Sequence, residues 1–304
     1  MICSTYLHRL NKVNGRFLHR LISGSCIILV GFSTSIAAVQ LRTEAQEILP
    51  KHMQIKADLH NPAPFYGMPD LKAKDGKPGS MMYLGDAGIE GLFVQILVHA
   101  LVANEVKNKK QLQAQQEADQ VLVPYDEPIG QSTHQRLVKF ALLDYPRDDL
   151  TFSVIGDETP DGDFIVVETS PSFFMSQDEK TIVLRHQLKA SLSSAPDEVI
   201  FENLAQTSSS QPYRGIDGWF GDSDEAFQAT TQRLYSVTFK ALVKDLYGRL
   251  NNQVSKEKTY KYYIGDERFY ERASLIEETC KSQTIRNLRG NILVLEKQQN
   301  ECIH

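Results

Sequence analysis

The run TIVLRHQLKASL at 181–192 decides the fold class. Ile182, Leu184, Leu188, Ala190 and Leu192 alternate with Thr181, Arg185, Gln187 and Lys189. Successive side chains of a strand point to opposite faces, so this run has one apolar and one polar face. That pattern predicts an antiparallel sheet with a single wet face. His186 falls on the apolar side and reads as a hydrogen-bonded core histidine, because no Ser or Cys partner for it can be assigned. Phe152 to Ile155, Phe164 to Val167 and Val199 to Leu204 are similar β-branched or aromatic runs, giving a sheet over 150–206. Asp161-Gly162, between the first two, is a hairpin signal.

Beyond the sheet, Thr207 to Gly221 is a Ser- and Gly-rich loop holding the only tryptophan, Trp219. Asp222 and Glu225 then have capping-box spacing. They open a helix over 222–250, with Phe227, Leu234, Tyr235, Thr238, Leu242 and Leu246 on one stripe. Further strands over 258–296 close the chain. Upstream, 86–143 reads as helical. Ser132-Thr133-His134-Gln135 has capping-box spacing ahead of a short helix that ends before Pro146. The expected class is therefore α+β: an antiparallel sheet packed by a long helix, plus a second helical element.

Within 86–143, Gly88 to Ala103 is apolar on nearly every side, with Leu92, Phe93, Ile96, Leu97 and Leu101 as a candidate partner interface. A helix apolar all round is either buried or membrane-associated. Its short apolar length and Glu90 favour burial over a span. His99 with Gln95 one turn earlier reads as a buried hydrogen bond. From Asn104 the pattern turns polar through Gln120, either continuing the same helix or breaking into a second one.

The N-terminus supplies an address. Arg9, Lys12, Arg16 and Arg20 precede an uncharged, mostly apolar run from Leu21 to Val39 that closes on Ser35-Ile36-Ala37-Ala38. A basic region, an apolar region and small residues at the end make a secretory signal over 1–37, and export to the periplasm or cell envelope. The same run could remain uncleaved as an inner-membrane anchor. Ser23-Gly24-Ser25-Cys26 lacks the leucine of a lipidation site, and the apolar run continues past Cys26. Residues 38–80 are an extended Pro/Gly-rich segment, and 81–304 form the α+β domain.

Export changes both charge and sulfur chemistry. The full chain has 33 basic and 38 acidic residues, a net charge of −5. Loss of 1–37 removes four basic residues and leaves about −9. No global basic field then draws nucleic acid, and direct binding of anionic lipid is disfavoured. Cys280 and Cys302 remain after cleavage, and an even pair in an exported chain reads as one disulfide, with two free thiols as the alternative.

No catalytic, cofactor or metal site is expected. Asp157, Glu158, Asp161 and Asp163 lack the spacing of a calcium loop and read as a solvated turn. Asp217, Asp222, Asp224 and Glu225 surround Trp219 and Phe220, which offers the alternative of a periplasmic hydrolase using paired carboxylates. Helix capping accounts for Asp222 and Glu225 without a substrate. Ser255-Lys256-Glu257-Lys258 matches S-x-x-K by chance, since no companion motif is present.

Three segments carry a resemblance. They are Gly88 to Ala103 leading into Ala118-Asp119-Gln120-Val121-Leu122-Val123-Pro124-Tyr125, the strand, loop, Trp, helix progression from Lys180 to Leu250, and Glu271-Arg272 with Arg286-Asn287-Leu288-Arg289-Gly290. In these the chain resembles uncharacterised proteobacterial periplasmic or envelope proteins, often lipoprotein-like. The resemblance implies an envelope location and a non-catalytic role, binding another envelope component. It transfers no catalytic residue. Membrane association, if present, would run through helix 88–103 or residues 21–39.

Intact-mass spectrometry on fractionated cells should find a periplasmic form beginning near Ala38 or Val39 that gains two hydrogens on reduction. A full-length cytoplasmic form with free thiols would contradict both expectations.

Overall fold

Strand His52–Lys56 (β1) lies between two partners that both run parallel to it, and the order of the whole sheet follows from that insertion. A computed structural model describes residues 49–56, 61–68, 105–145, 150–154, 156, 161–210, 215–220, 225–250, 255–264 and 267–297. All of them belong to the compact unit 49–304. After β1 come β2 (Phe65–Gly67), α1 (Glu105–Asp119), a 3-10 turn (Gln120–Tyr125), α2 (Asp126–Gln131) and α3 (His134–Asp144). Strands β3 (Thr151–Val154), β4 (Ile165–Met175), β5 (Thr181–Leu192) and β6 (Ala195–Ser210) follow. Helices α4 (Ile216–Phe220) and α5 (Glu225–Leu246) lead to β7 (Lys258–Ile264), β8 (Glu267–Glu278), β9 (Ser282–Asn287) and β10 (Ile292–Glu296).

The fold is mixed α/β around one large, mostly antiparallel sheet in the order β3-β1-β4-β5-β6-β10-β9-β8-β7. Strand β2 also pairs with β4, beyond the end of β1. The parallel pairs are β1–β3, β1–β4, β2–β4 and β6–β10. Asp161-Gly162 is consequently not a hairpin turn. β3 and β4 are separated by β1, so the chain between them is a crossover. Asp163 instead pins the neighbouring β5–β6 turn, accepting from Ser193 Oγ at 2.7 Å and Ser194 Oγ at 3.0 Å.

β4 continues to Met175, eight residues past the sequence expectation, with Pro171 inside it. Register explains why proline is tolerated. Phe173 donates its N–H to Pro64 O, away from β5, and Pro171 has the same parity. Its missing N–H therefore faces the gap between β1, which ends opposite Glu168, and β2, which begins opposite Phe173.

One sheet face carries the main core. Leu184, His186, Leu188 and Ala190 of β5 and Ala205 of β6 lie on it, fully or almost fully buried, with Leu234, Tyr235, Phe239 and Leu242 of α5 in the same cluster. At the far end of α5, Asp245 is buried and receives Arg286 Nη2 at 2.6 Å and Asn203 Nδ2 at 2.6 Å. Removing one partner of such a buried pair typically costs about 3–5 kcal/mol.

The other face is not simply wet. Val183 and Arg185 of β5 are buried, Arg185 at 7% exposure. Ile264 joins Val183 and Phe174 in a second apolar cluster, with Tyr262, Phe269 and Tyr66 against it. The sheet curls, and the inner side of its terminal hairpin comes over the face that alternation assigned to water. Only Gln187, Lys189 and Ser191 at the far end of β5 keep partial exposure.

At α3 the cap moves by one residue. Thr133, not Ser132, is the N-cap, its Oγ1 accepting from Arg136 N–H, while Ser132 Oγ donates to Pro128 O. Among the described residues no helix is long and apolar enough to cross a membrane.

The end of α1 meets β2 at Gly67. Gly67 donates to Asp119 Oδ1 at 2.7 Å, and Gln115 Nε2 donates back to Gly67 O at 3.0 Å. A Cβ at Gly67 would lie 1.9 Å from Ala118 O. Gly67→Ala should therefore force α1 off β2 and lower stability by about 1–3 kcal/mol, read as a fall in urea midpoint with unchanged slope.

Candidate functional site

Helix α3 has two unlike faces because its apolar residues exceed what one side can bury. His134, Leu137, Val138 and Ala141 turn inward, and Arg136, Lys139, Phe140 and Leu143 turn outward. Leu143 is 74% exposed and Phe140 36%. Between this face and β3 lies a groove of about 600 Å³ lined by Lys139, Leu142, Leu143, Leu150, Thr151 and Phe152. β3 is one of the two terminal strands of the sheet among the described residues. Thr151 donates its N–H inward to Lys51 O at 3.0 Å, so by alternation Phe152 turns its N–H and C=O toward the outer edge. The groove thus offers apolar walls, main-chain groups and one cation, Lys139.

Beneath α3 runs a chain of buried polar groups. His134 Nε2 lies 3.3 Å from Tyr235 Oη, which lies 3.1 Å from Thr169 Oγ1. Thr169 hydrogen-bonds His186 Nε2, and His186 Nδ1 lies 2.9 Å from Thr238 Oγ1. Thr238 Oγ1 is also 3.0 Å from Leu234 O, a carbonyl that can only accept. Using each proton once then assigns the rest: Thr238 accepts from His186 Nδ1–H, Nε2 accepts from Thr169, and Thr169 accepts from Tyr235. His186 is neutral in this chain. Burial, with His134 nearby, pushes it down to about 3 from 6.5. Burial likewise pushes the Tyr235 hydroxyl up. The chain ties α3, α5, β4 and β5 together, and His186 and Tyr235 are both fully buried.

Trp219 is fully buried and donates Nε1–H to Glu179 O at 2.6 Å. No face of its ring is open to a sugar. Asp217 is exposed, Glu225 begins α5, and Asp222 and Asp224 lie outside the described residues. The acid at this place is Glu179, which sequence reasoning passed over. It sits in the β4–β5 turn at φ 57, accepts from Tyr125 Oη at 2.8 Å through Oε2, and donates its N–H to Ser176 O. Those contacts offset a left-handed conformation that costs about 1–2 kcal/mol. Burial, then the Glu179 carboxylate, pushes the Tyr125 hydroxyl upward. The only signal for Glu179 is its place in the polar turn Ser176 to Lys180 after an apolar strand.

The other sequence-derived residues divide between described and undescribed positions. Leu92, Phe93, Ile96, Leu97 and Leu101, with His99 and the 1–37 segment, lie outside the described residues, as do Asp157 and Glu158. No group of three metal-ligating side chains occurs among the described residues. Cys280 is exposed in the β8–β9 turn, and Cys302 lies outside the described residues. Comparison with protein-family models, curated proteins and solved structures returns no match to this chain.

The buried histidine has a consequence for pH. Its folded-state affinity for protons is depressed, so between pH 6.5 and about 3 the unfolded chain takes up a proton that the folded chain refuses. Stability from this group is complete above pH 6.5 and falls by about 2 kcal/mol by pH 5. His186→Gln should be less stable at pH 7 but lose correspondingly less between pH 7 and 5, measured by urea unfolding at both values.

Proposed function

We propose that this chain is an exported, envelope-associated binding protein without catalytic activity, whose α3–β3 groove receives an extended segment of another envelope component. The observation that carries this reading is the groove itself, an apolar channel alongside the terminal strand β3, with Leu143 left 74% exposed at its wall. An added strand would use the main-chain groups of Phe152, while alternate side chains enter between Leu142, Leu143 and Leu150. Lys139 in the groove lining favours a segment carrying a carboxylate beside its apolar residues. In this reading helix α5 is the layer that packs the sheet, and the groove lies at its α3 border.

Export fits the sulfur chemistry. Lys297 donates its N–H to Lys281 O at 2.9 Å, so the chain leaves β10 next to Cys280, five residues before Cys302. Five residues span at most about 17 Å, ample to bring Cys302 back to Cys280. We assign that pairing to the exported form. The disulfide would fasten the C-terminal end to the β8–β9 turn and add about 3 kcal/mol in the chain-entropy model.

A photo-crosslinking residue at Phe140, in cells, should give one adduct with an envelope protein. Leu143→Glu should reduce that adduct at least about tenfold, the loss of one buried leucine contact, without lowering the melting temperature. An equally strong adduct from Leu288, an exposed apolar residue remote in sequence, or recovery of the protein from cytoplasm, would overturn the reading.

A further inference from the structure

The terminal hairpin sorts its side chains by face. Cross-strand register pairs Thr259 with Arg272, Lys261 with Tyr270 and Tyr263 with Arg268, so these six share one face of β7–β8. The acid Glu271 pairs with Tyr260 on the opposite side. Arg286, which follows the same face onto β9, meets Asp245 of α5, and Lys244 reaches Glu277. The outward face of β7–β8 is therefore the continuation of the helix-bearing face beyond the edge of α5. Nothing among the described residues covers it: Tyr263 is 49% and Tyr270 56% exposed, and Lys261, Arg268 and Arg272 are exposed.

The arrangement of charge on this face is specific. Lys261 Nζ stands 5.0 Å over the Tyr263 ring, and the Arg268 guanidinium 5.3 Å over the Tyr270 ring. Glu257 neutralises Arg272 at 3.3 Å, whereas among the described residues no carboxylate pairs with Lys261 or Arg268. A chain of net charge −5 thus keeps a cationic, phenol-bearing plane on its outermost hairpin. The overall negative charge does not cancel it, because exposed charges beyond about 8–10 Å are screened at physiological salt.

We infer that this face docks on an anionic phospholipid bilayer surface, with Lys261 and Arg268 on headgroup phosphates and the phenols of Tyr263 and Tyr270 at headgroup depth. Tyrosine has an apolar body and a polar tip suited to that depth. Single-stranded nucleic acid fits less well. It is bound by free aromatic faces in a groove that tracks one backbone, and here each exposed ring already has a cation over it on a two-stranded plane. The inference stands on the hairpin alone and does not require the α3–β3 groove to have a partner.

The test is hydrogen–deuterium exchange on the protein as isolated from cells, with and without vesicles. Vesicles containing phosphatidylglycerol should protect residues 258–272, and pure phosphatidylcholine vesicles should not. Reading this hairpin separates its contact from any membrane contact of the N-terminal region. Each cation near an anionic surface contributes about fivefold in affinity, so Lys261→Glu with Arg268→Glu should weaken the protection at least about 25-fold. Tyr263→Ser with Tyr270→Ser should weaken it further, and 0.5 M salt should abolish it. Lys139→Glu with Arg136→Glu, the same charge change on helix α3, should leave it intact. Protection by both vesicle types, no protection by either, indifference to the hairpin reversals, or protection by a single-stranded oligonucleotide instead would each overturn the proposal.

Discussion

Helix α5 meets the sheet through polar pins set in an apolar seam. Thr238 engages His186 near its middle, and Asp245 engages Arg286 and Asn203 near its end. Leu234, Phe239 and Leu242 supply burial, which is roughly proportional to area and does not fix a register. The pins do fix one. Sliding the helix by a residue would leave Asp245 without Arg286 and His186 Nδ1–H without an acceptor inside the core, each a cost that apolar contacts could not offset. Strands β4, β5, β6 and β9 all contribute a partner, so the placement of half the sheet depends on one helix face being right.

Two further constraints follow from the ends of the sheet. Glu179 accepts left-handed geometry because the 3-10 turn, α4 and its own hairpin converge on it through Tyr125, Trp219 and Ser176. Around them Tyr125, Phe220 and Phe227 stack, with centroids 5.5–6.1 Å apart, and close that end of the core. At the opposite end the β7–β8 hairpin curls far enough for Ile264 to reach Phe174 and Val183. That curl converts the second face of β5 from a solvent face into a minor core.

What was legible in the sequence is what depends on nearest neighbours. The alternation at 181–192 places His186 inward, and the aromatic stripe of the α5 helix and the C-terminal strands are found within a few residues. What was not legible depends on distant chain. β1 and β2 are five and three residues long among prolines, too short for a periodic signal, yet β1 separates β3 from β4 and cancels the hairpin at Asp161-Gly162. The extension of β4 was hidden by Pro171, whose tolerance comes only from the gap between those two strands. Of the candidate sites, Trp219, which the nearby acids offered to a carboxylate site, is fully buried. The groove could not have been found, because Leu143 and Phe152 belong to elements that meet only after β1 has been inserted.

The two surfaces singled out here share a physical origin. Helix α5 touches the middle strands β5, β6 and β10. At the β3 edge α3 takes over, but it has more apolar residues than it can bury, and Phe140 and Leu143 remain outside. At the β7 edge no described element takes over, and the exposed positions carry Tyr, Lys and Arg where period-2 alternation would be satisfied by any polar residue. Solubility alone would favour acids there, as it does over a chain that totals 38 of them, and Glu271 of this hairpin lies on the other side. A strand that places Glu271 on one face and Arg268, Tyr270 and Arg272 on the other has been sorted by charge as well as by polarity. The fold needs only the sorting by polarity.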